Sequence, residues 1–540
     1  MNELQLTSAR PATGRFHWFV WLNCGVVAVL ACAFRVWNID SIPGINGDEA
    51  WYGIQAIQML RGETSAWRTP MDNPLNPFYF VPQLLLHALW TPSPGLLRLP
   101  ALMSGLAALA ANSFLCRRLW GVGPAVFSTL LLAVLPINIA YSRFGWDASQ
   151  TLLASVLVVY PALLAVAEAQ NRLRWFACSL AAFGAAMLVH PSNIFLGPMA
   201  LCPLYAWRKE IAERLDPRRN AWTRWLPLWA VIIALPITVA WLRQDWLAVV
   251  LQRQPSDVFG FLLNYLRLFN GTTIYRFIPG IQPVEAAALA DLWRFGDALT
   301  LVIAGGAAML LCRLVWRRRE GALVSLVLGY SASTAAFFLV AGPTMIAPGW
   351  ERYGIWLVAP ACLLMARAAA ELASRHGRLG MTLSIVLAWI LLAGFQTRYF
   401  QVFRETGGLA HNTFRTAAAE PKQAALAYIL SKRVRFEPTW IVTSESWNYR
   451  PLRYLALAES QVRVERLAEV QGTQGLEAAL VDGRAWFVEF AGSPDCLAVR
   501  QYLIATEQRF RERTVADYGG RAILTVFEPA SLEKVADSGL

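Results

Sequence analysis

Long apolar runs recur along this chain with short basic clusters between them, and no other feature constrains the fold as tightly. Most runs hold roughly 18 to 22 residues, enough for a helix to cross a hydrocarbon layer about 30 Å thick. Inside lipid every backbone N–H and C=O must find a partner within the protein, so such a run reads as a spanning helix. Composition agrees. Of all residues 56% are hydrophobic and 16% charged, against about 45–50% and about 25% in soluble domains. The expected fold class is a polytopic α-helical membrane protein of about eleven spans.

The runs are Trp18 to Trp37, Leu96 to Leu115, Val122 to Tyr141, Ser149 to Val166, Trp175 to Val189 and Ile194 to Trp207. They continue with Trp225 to Leu242, Gly296 to Val315, Ala322 to Ala341, Arg352 to Arg367 and Leu379 to Thr397. No signal-peptide cleavage pattern precedes the first, which reads as a retained anchor. Phe78 to Trp90 is apolar but too short to span, and Gln83 and His87 interrupt it, so it reads as a juxtamembrane helix in the interface.

The arginines set the orientation. With the N-terminus cytoplasmic, the clusters at 117–118, 172–174, 208–224, 317–319 and 375–378 all fall inside. The loops at about 38–95 and 243–295, and the C-terminal tail, then fall outside. Counting Phe78 to Trp90 as a span would put the later clusters on the wrong side. The net charge of +12 is thus spread as orientation signals, which speaks against a nucleic-acid partner. Seven of the eight cysteines lie in or at the ends of apolar runs, with no CxxC pair, and read as buried thiols. The basic set is nearly all arginine, and its placement suits a bacterial inner membrane.

Residues 1–399 therefore form a membrane domain, and 400–540 a soluble periplasmic or extracellular one. In the latter, Thr439 to Thr443, Val462 to Arg466, Arg484 to Phe490 and Ala522 to Phe527 read as strands. Ala417 to Arg433 and Asp495 to Glu507 read as helices, so the expectation is a small α/β domain.

Under this topology Asp48, Glu49, Arg143, Asp147, His190 and Arg352, from four separate parts of the chain, meet at the outer membrane boundary. Carboxylates there can act as general bases or bind a metal, and outer arginines can hold a phosphate. Each residue also has a plainer reading. Asp48 can cap the helix that follows, with Glu49 suiting its N-terminal dipole. Arg143 and Arg352 can snorkel to lipid headgroups. His190, before Pro191, can be a packing histidine, and Asp147 mere loop polarity.

The Asp48-Glu49 pair enters a helix with Gly62 at its end. Further along come Asn76-Pro77-Phe78-Tyr79-Phe80, Leu97-Arg98-Leu99-Pro100-Ala101-Leu102 with Gly105, and Arg117-Arg118-Leu119-Trp120-Gly121. Ser142-Arg143 with Asp147, and Glu351-Arg352-Tyr353, complete the ordered set. Over about the first 400 residues this resembles the type C glycosyltransferases. More narrowly, it resembles the family of protein O-mannosyltransferases and lipid A aminoarabinose transferases. The chain departs from that pattern before the juxtamembrane helix, where Asn73-Pro74 and Asn76-Pro77 stand in place of His-Pro or Lys-Pro-Pro.

The resemblance implies a polyprenyl-phosphate sugar as donor and a lipid, glycan or protein acceptor, with membrane lipids around the spans. It implies Asp48 as the base of an inverting single displacement, Asp147 beside it in the catalytic site, and Glu49, Arg143, His190, Arg352 and Tyr353 as substrate-binding residues. A divalent ion (Mg, Mn or Zn) would draw on Asp147, Glu49 and His190. The rival readings are a transporter or flippase of lipid-linked sugars and a sensor anchored by its spans. Charges gathered at one face, and no internal repeat, weigh against the transporter, and eleven spans far exceed an anchor. A reporter fused after Thr397 is expected to read external; a cytoplasmic signal would break both the orientation and the grouping of these residues.

Overall fold

The computed structural model describes residues 14–70, 72–208, 210, 254–281, 287–318, 320–433 and 437–530. The first helices are α1 (Gly14–Val36), α2 (Gly47–Leu60), α3 (Pro77–Leu89), α4 (Pro94–Trp120) and α5 (Val122–Val134). They are followed by α6 (Pro136–Tyr141), α7 (Thr151–Ala167), α8 (Arg172–Val189) and α9 (Gly197–Ala206). Seven helices among the described residues are long and apolar enough to cross a membrane, and Val20–Val36 and Val122–Val134 are shorter apolar ones. The run expected at Trp225 to Leu242 lies outside the described residues.

Two expected spans are divided. Pro136 cannot donate to the ladder and forces Leu135 out of the helical region (ψ 126°), so Val122 to Tyr141 becomes α5 and α6. Pro191 likewise turns the start of the sixth run into a tight 3₁₀ stretch, Pro191–Leu196, before the ten residues of α9. The juxtamembrane segment is the single helix α3.

The C-terminal region is a five-stranded sheet in the order β2-β1-β3-β5-β4. The strands are β1 (Thr439–Thr443), β2 (Val462–Arg466), β3 (Ala485–Phe490), β4 (Phe510–Ala516) and β5 (Ala522–Pro529). β1 runs parallel to β2 and β3, while β5 pairs antiparallel with β3 and β4. β3, Ala-Trp-Phe-Val-Glu-Phe, is buried along its whole length, as a strand covered on both faces requires. β4 is a strand not expected from the sequence. Its Arg511, Glu512 and Arg513 give it no apolar run, and charge of this kind suits an edge strand that must stay unpaired on one side. The helix Ser446–Ala456 is also unexpected, since Pro451 and two arginines mask its apolar stripe of Leu452, Leu455 and Ala456.

That helix packs along α2 and joins sheet and bundle. Gly53 is where they come closest: a Cβ there would lie 2.3 Å from the Tyr454 ring and 2.7 Å from Leu97. The Tyr454 hydroxyl meets His87 Nε2 at 2.9 Å and donates to the Ser93 carbonyl at 3.1 Å, reaching both α3 and α4.

The start of α2 is built by a reciprocal cap. The Asn46 side chain accepts from the N–H groups of Asp48 (2.9 Å) and Glu49 (3.0 Å), and Glu49 accepts from the Asn46 N–H (3.2 Å). Glu49 is fully buried and also accepts from Arg98 Nε (3.0 Å), Arg98 Nη2 (2.9 Å) and the Gly145 N–H (2.6 Å). One carboxylate thus ties α2 to α4 and to the turn after α6. Removing one member of such a pair strands a buried charge, which typically costs about 3–5 kcal/mol. Glu49→Gln is therefore expected to lower the stability of the purified protein sharply, read as loss of protease resistance and of melting temperature. Asn46→Ala should cost only about 1 kcal/mol. Equal, small effects of both would contradict this account.

Candidate functional site

With Asn46 as the cap, Asp48 is left without a structural duty. Its carboxylate stands on the first turn of α2, half-exposed, and its one ion pair among the described residues is a loose contact of 3.6 Å with Arg450 of the helix Ser446–Ala456. Partial burial raises its pKa above the ordinary aspartate range; Arg450 and Arg352 oppose that rise, and Asp147 and Glu49 add to it. Asp48, Asp147, Arg352 and Arg450 thus share one electrostatic neighbourhood.

Asp147 opens the short 3₁₀ turn Asp147–Gln150 that leads into α7. One of its oxygens accepts from the Ala148 N–H at 2.7 Å, and the buried Tyr52 side chain on α2 lies within electrostatic reach of its carboxylate. Arg352 is the second residue of the 3₁₀ turn Glu351–Leu357 at the head of the helix Val358–His376. Its guanidinium lies 5.4 Å from the Trp146 ring centre, 5.5 Å from Trp350 and 5.0 Å from Tyr353, and donates to the Gly349 carbonyl at 3.2 Å. Glu351 beneath it is buried and accepts from the Tyr141 hydroxyl (3.1 Å) and the Gly349 N–H (2.6 Å), fixing the turn that presents Arg352.

His190 ends α8, and its Nδ1 accepts from the Ser192 N–H at 3.2 Å, which leaves the proton of the neutral ring on Nε2. Its ring meets Tyr353 edge-on at 5.2 Å. Burial and Arg352 depress its pKa, against the pull of Asp147, so the neutral form is favoured. The structure therefore gathers Asp48, Asp147, His190, Arg352 and Tyr353.

It does not gather the other two. Glu49 points into the protein and spends both oxygens on Arg98, Gly145 and Asn46, so no lone pair is left to bind a substrate or an ion. Arg143 is fully buried, donating to the carbonyls of Phe34 (2.6 Å), Asn38 (3.3 Å) and Ile42 (2.7 Å). It closes the C-terminal end of α1, whose last carbonyls have no helical partner, and so is removed from any phosphate. The metal set of Asp147, Glu49 and His190 loses Glu49 to Arg98, and among the described residues no three His, Cys, Asp or Glu side chains assemble for an ion. Asn76, which stands where the resemblance would place other chemistry, caps α3 through Phe78 N–H (2.9 Å) and bonds Gln150 (2.9 Å).

Sequence reasoning did not anticipate Arg450 or Tyr52. Tyr52 lies one helical turn after Asp48, a spacing that puts both on one face. Arg450 carries no local signal, because its relation to Asp48 exists only through folding.

A second feature lies inside the bundle. A cavity of about 290 Å³, lined by Tyr265, Phe269, Ala304, Ala307, Leu364 and Leu391 among others, is apolar apart from groups such as Asn270 and Thr300.

Comparison with known proteins fits this architecture. The model of the dolichyl-phosphate-mannose-protein mannosyltransferase family matches residues 72–242. No curated protein matches the chain by sequence. Among solved structures, ArnT from Cupriavidus metallidurans in the apo state is similar at 17% identity, covering 96% of this chain and 99% of that one, with a TM-score of 0.53. ArnT bound to undecaprenyl phosphate gives 17% identity, 95% and 99% coverage and a TM-score of 0.52. The oligosaccharyltransferase AglB from Archaeoglobus fulgidus, in complex with an inhibitory peptide and a dolichol-phosphate, gives 12% identity, 98% and 76% coverage and a TM-score of 0.50. This chain is thus a polytopic α-helical protein with an ArnT-like fold, and its residues 72–242 match the dolichyl-phosphate-mannose-protein mannosyltransferase family model.

Proposed function

We propose that this protein transfers a sugar from a polyprenyl-phosphate donor to an acceptor hydroxyl on the outer face of the membrane, with Asp48 as general base and inversion at the anomeric carbon. The observation that carries this reading is the state of Asp48. It is relieved of capping by Asn46, half-exposed, raised in pKa and flanked by two arginines.

The chemistry asks little else of the protein. A glycosyl phosphate has a good leaving group, so no strong general acid is needed. The acceptor O–H gives its proton to the Asp48 carboxylate as its oxygen bonds the anomeric carbon. The bond from that carbon to the phosphate oxygen breaks, and the electron pair leaves with the polyprenyl phosphate. Arg352, held by its aromatic faces, supplies positive charge to the departing phosphate. Asp147, held by the Ala148 N–H, orients the acceptor, and His190 with Tyr353 forms the wall beside it. The cavity by Phe269 and Leu364 offers the prenyl chain an apolar slot among the spans. Glu49 and Arg143 hold the frame. The name of one similar structure, ArnT with undecaprenyl phosphate, supports a donor of this class.

Two outcomes test the reading. Because Asn46 is the cap, Asp48→Asn should fold normally and lose roughly 10²- to 10⁴-fold in transfer, seen as loss of the modified glycolipid or glycoprotein in extracts of a deletion strain carrying the variant. Full transfer by that variant would end the assignment. Transfer should also weaken as pH falls through a value above the ordinary aspartate range, since protonated Asp48 cannot accept a proton. A rate unaltered down to the pH of an unperturbed aspartate would argue against it.

A further inference from the structure

The helix Ser446–Ala456 belongs to the C-terminal domain by its place in the chain, yet one of its faces is committed to α2. Trp447, Arg450 and Tyr454 stand three and four residues apart and so share that face. Trp447 packs on Gly47, and Tyr454 fills the space at Gly53 while bonding His87 and Ser93. Between these two anchors Arg450 reaches the carboxylate of Asp48, Nη1 to Oδ1 at 3.6 Å.

We infer that the C-terminal domain completes the catalytic centre by supplying Arg450 as the positioning residue for the Asp48 carboxylate. The inference rests on Asp48 being the base. A single, partly exposed ion pair contributes little to stability, so the contact is of small use as a clasp. Its geometry suits another purpose. With Arg450 beside one oxygen, the carboxylate keeps the second free for a hydroxyl proton, and the anchors on either side spare Arg450 part of the entropy of being placed there.

The groups that bear on Asp48 define what the contact does. Arg450 faces it from the C-terminal domain, Arg352 and Asp147 from the membrane domain, and Glu49 and Tyr52 from its own helix. Arg450 and Arg352 favour the carboxylate and the acidic neighbours oppose it. Without Arg450, Arg352 alone offsets them and Asp48 takes up a proton more readily.

The test needs no knowledge of the sugar. A water-soluble carbodiimide with a small amine labels protonated carboxyl groups, and peptide mass spectrometry reads the label at Asp48 across pH in the full-length protein in lipid nanodiscs. In Arg450→Met the labelling should persist to higher pH than in the wild type, and transfer in the complemented deletion strain should fall by about tenfold or more. Arg450→Lys should recover both. If Arg450→Met melts at a lower temperature than the wild type, Arg450→Gln gives the same comparison. An unmoved labelling profile in a folded variant, or wild-type transfer by it, overturns the inference. Full transfer by Asp48→Asn would instead sink the base assignment, an outcome separate from the labelling profile.

Discussion

The buried pair of Glu49 and Arg98 is the interaction on which the rest depends. Two unit charges without water are tolerable only when hydrogen bonds beyond the pair help to satisfy them. Here Glu49 also accepts from Asn46 and Gly145, and Arg98 also donates to the Ile39 carbonyl at 2.6 Å. Gly145 is required at this junction, since a Cβ would stand 2.9 Å from the Tyr79 hydroxyl and 3.2 Å from Glu49 itself. The pair thereby fixes the angle at which α2 leaves the bundle, and with it the place of Asp48.

Other buried charges hold the segment before α2. Arg143 grips the carbonyls of Asn38 and Ile42 from the membrane side. From the C-terminal side, Glu420 accepts from the Ile45 N–H at 2.8 Å and Lys422 donates to the Ile45 carbonyl at 3.0 Å. Burial pushes Glu420 up and Lys422 down in pKa, and their mutual contact at 3.3 Å opposes both shifts. A loop of about ten residues is thus fixed by charges that never touch solvent. The half-exposed Asp48 projects from a support tied on both sides, which the proposed base needs if it is to meet a hydroxyl at hydrogen-bond distance.

How much of this was legible depended on whether a residue's role is local. Apolar runs mark the spans because lipid admits little else, and β1 is readable from its apolar run Trp440-Ile441-Val442 and β2 from its alternation. The divided spans followed from Pro136 and Pro191, where chain chemistry overrides hydropathy. Asn46-x-x-Glu49 is itself a capping-box spacing, and weighing it would have moved the cap from Asp48 to Asn46. By contrast, no pattern joins Glu49 to Arg98 or Asp48 to Arg450. Arg143 looked like an outward arginine only because the open carbonyls of α1 are invisible in a string of letters. Its neighbour in sequence, Asp147, does stand with Asp48, so proximity along the chain did not separate frame from site.

The seating of Trp447 on Gly47 has a consequence for biogenesis. The two residues are 400 positions apart, 447 minus 47, and nearly every span is synthesised between them. The helix that carries Asp48 leaves the ribosome some 400 residues before the segment that carries Trp447 and Arg450, and so waits for its full set of neighbours. A truncated product, or a nascent chain still being inserted, holds the carboxylate without Arg450, Lys422 or Glu420 around it. The surroundings of Asp48 therefore close only once the chain has been made through the helix Ser446–Ala456.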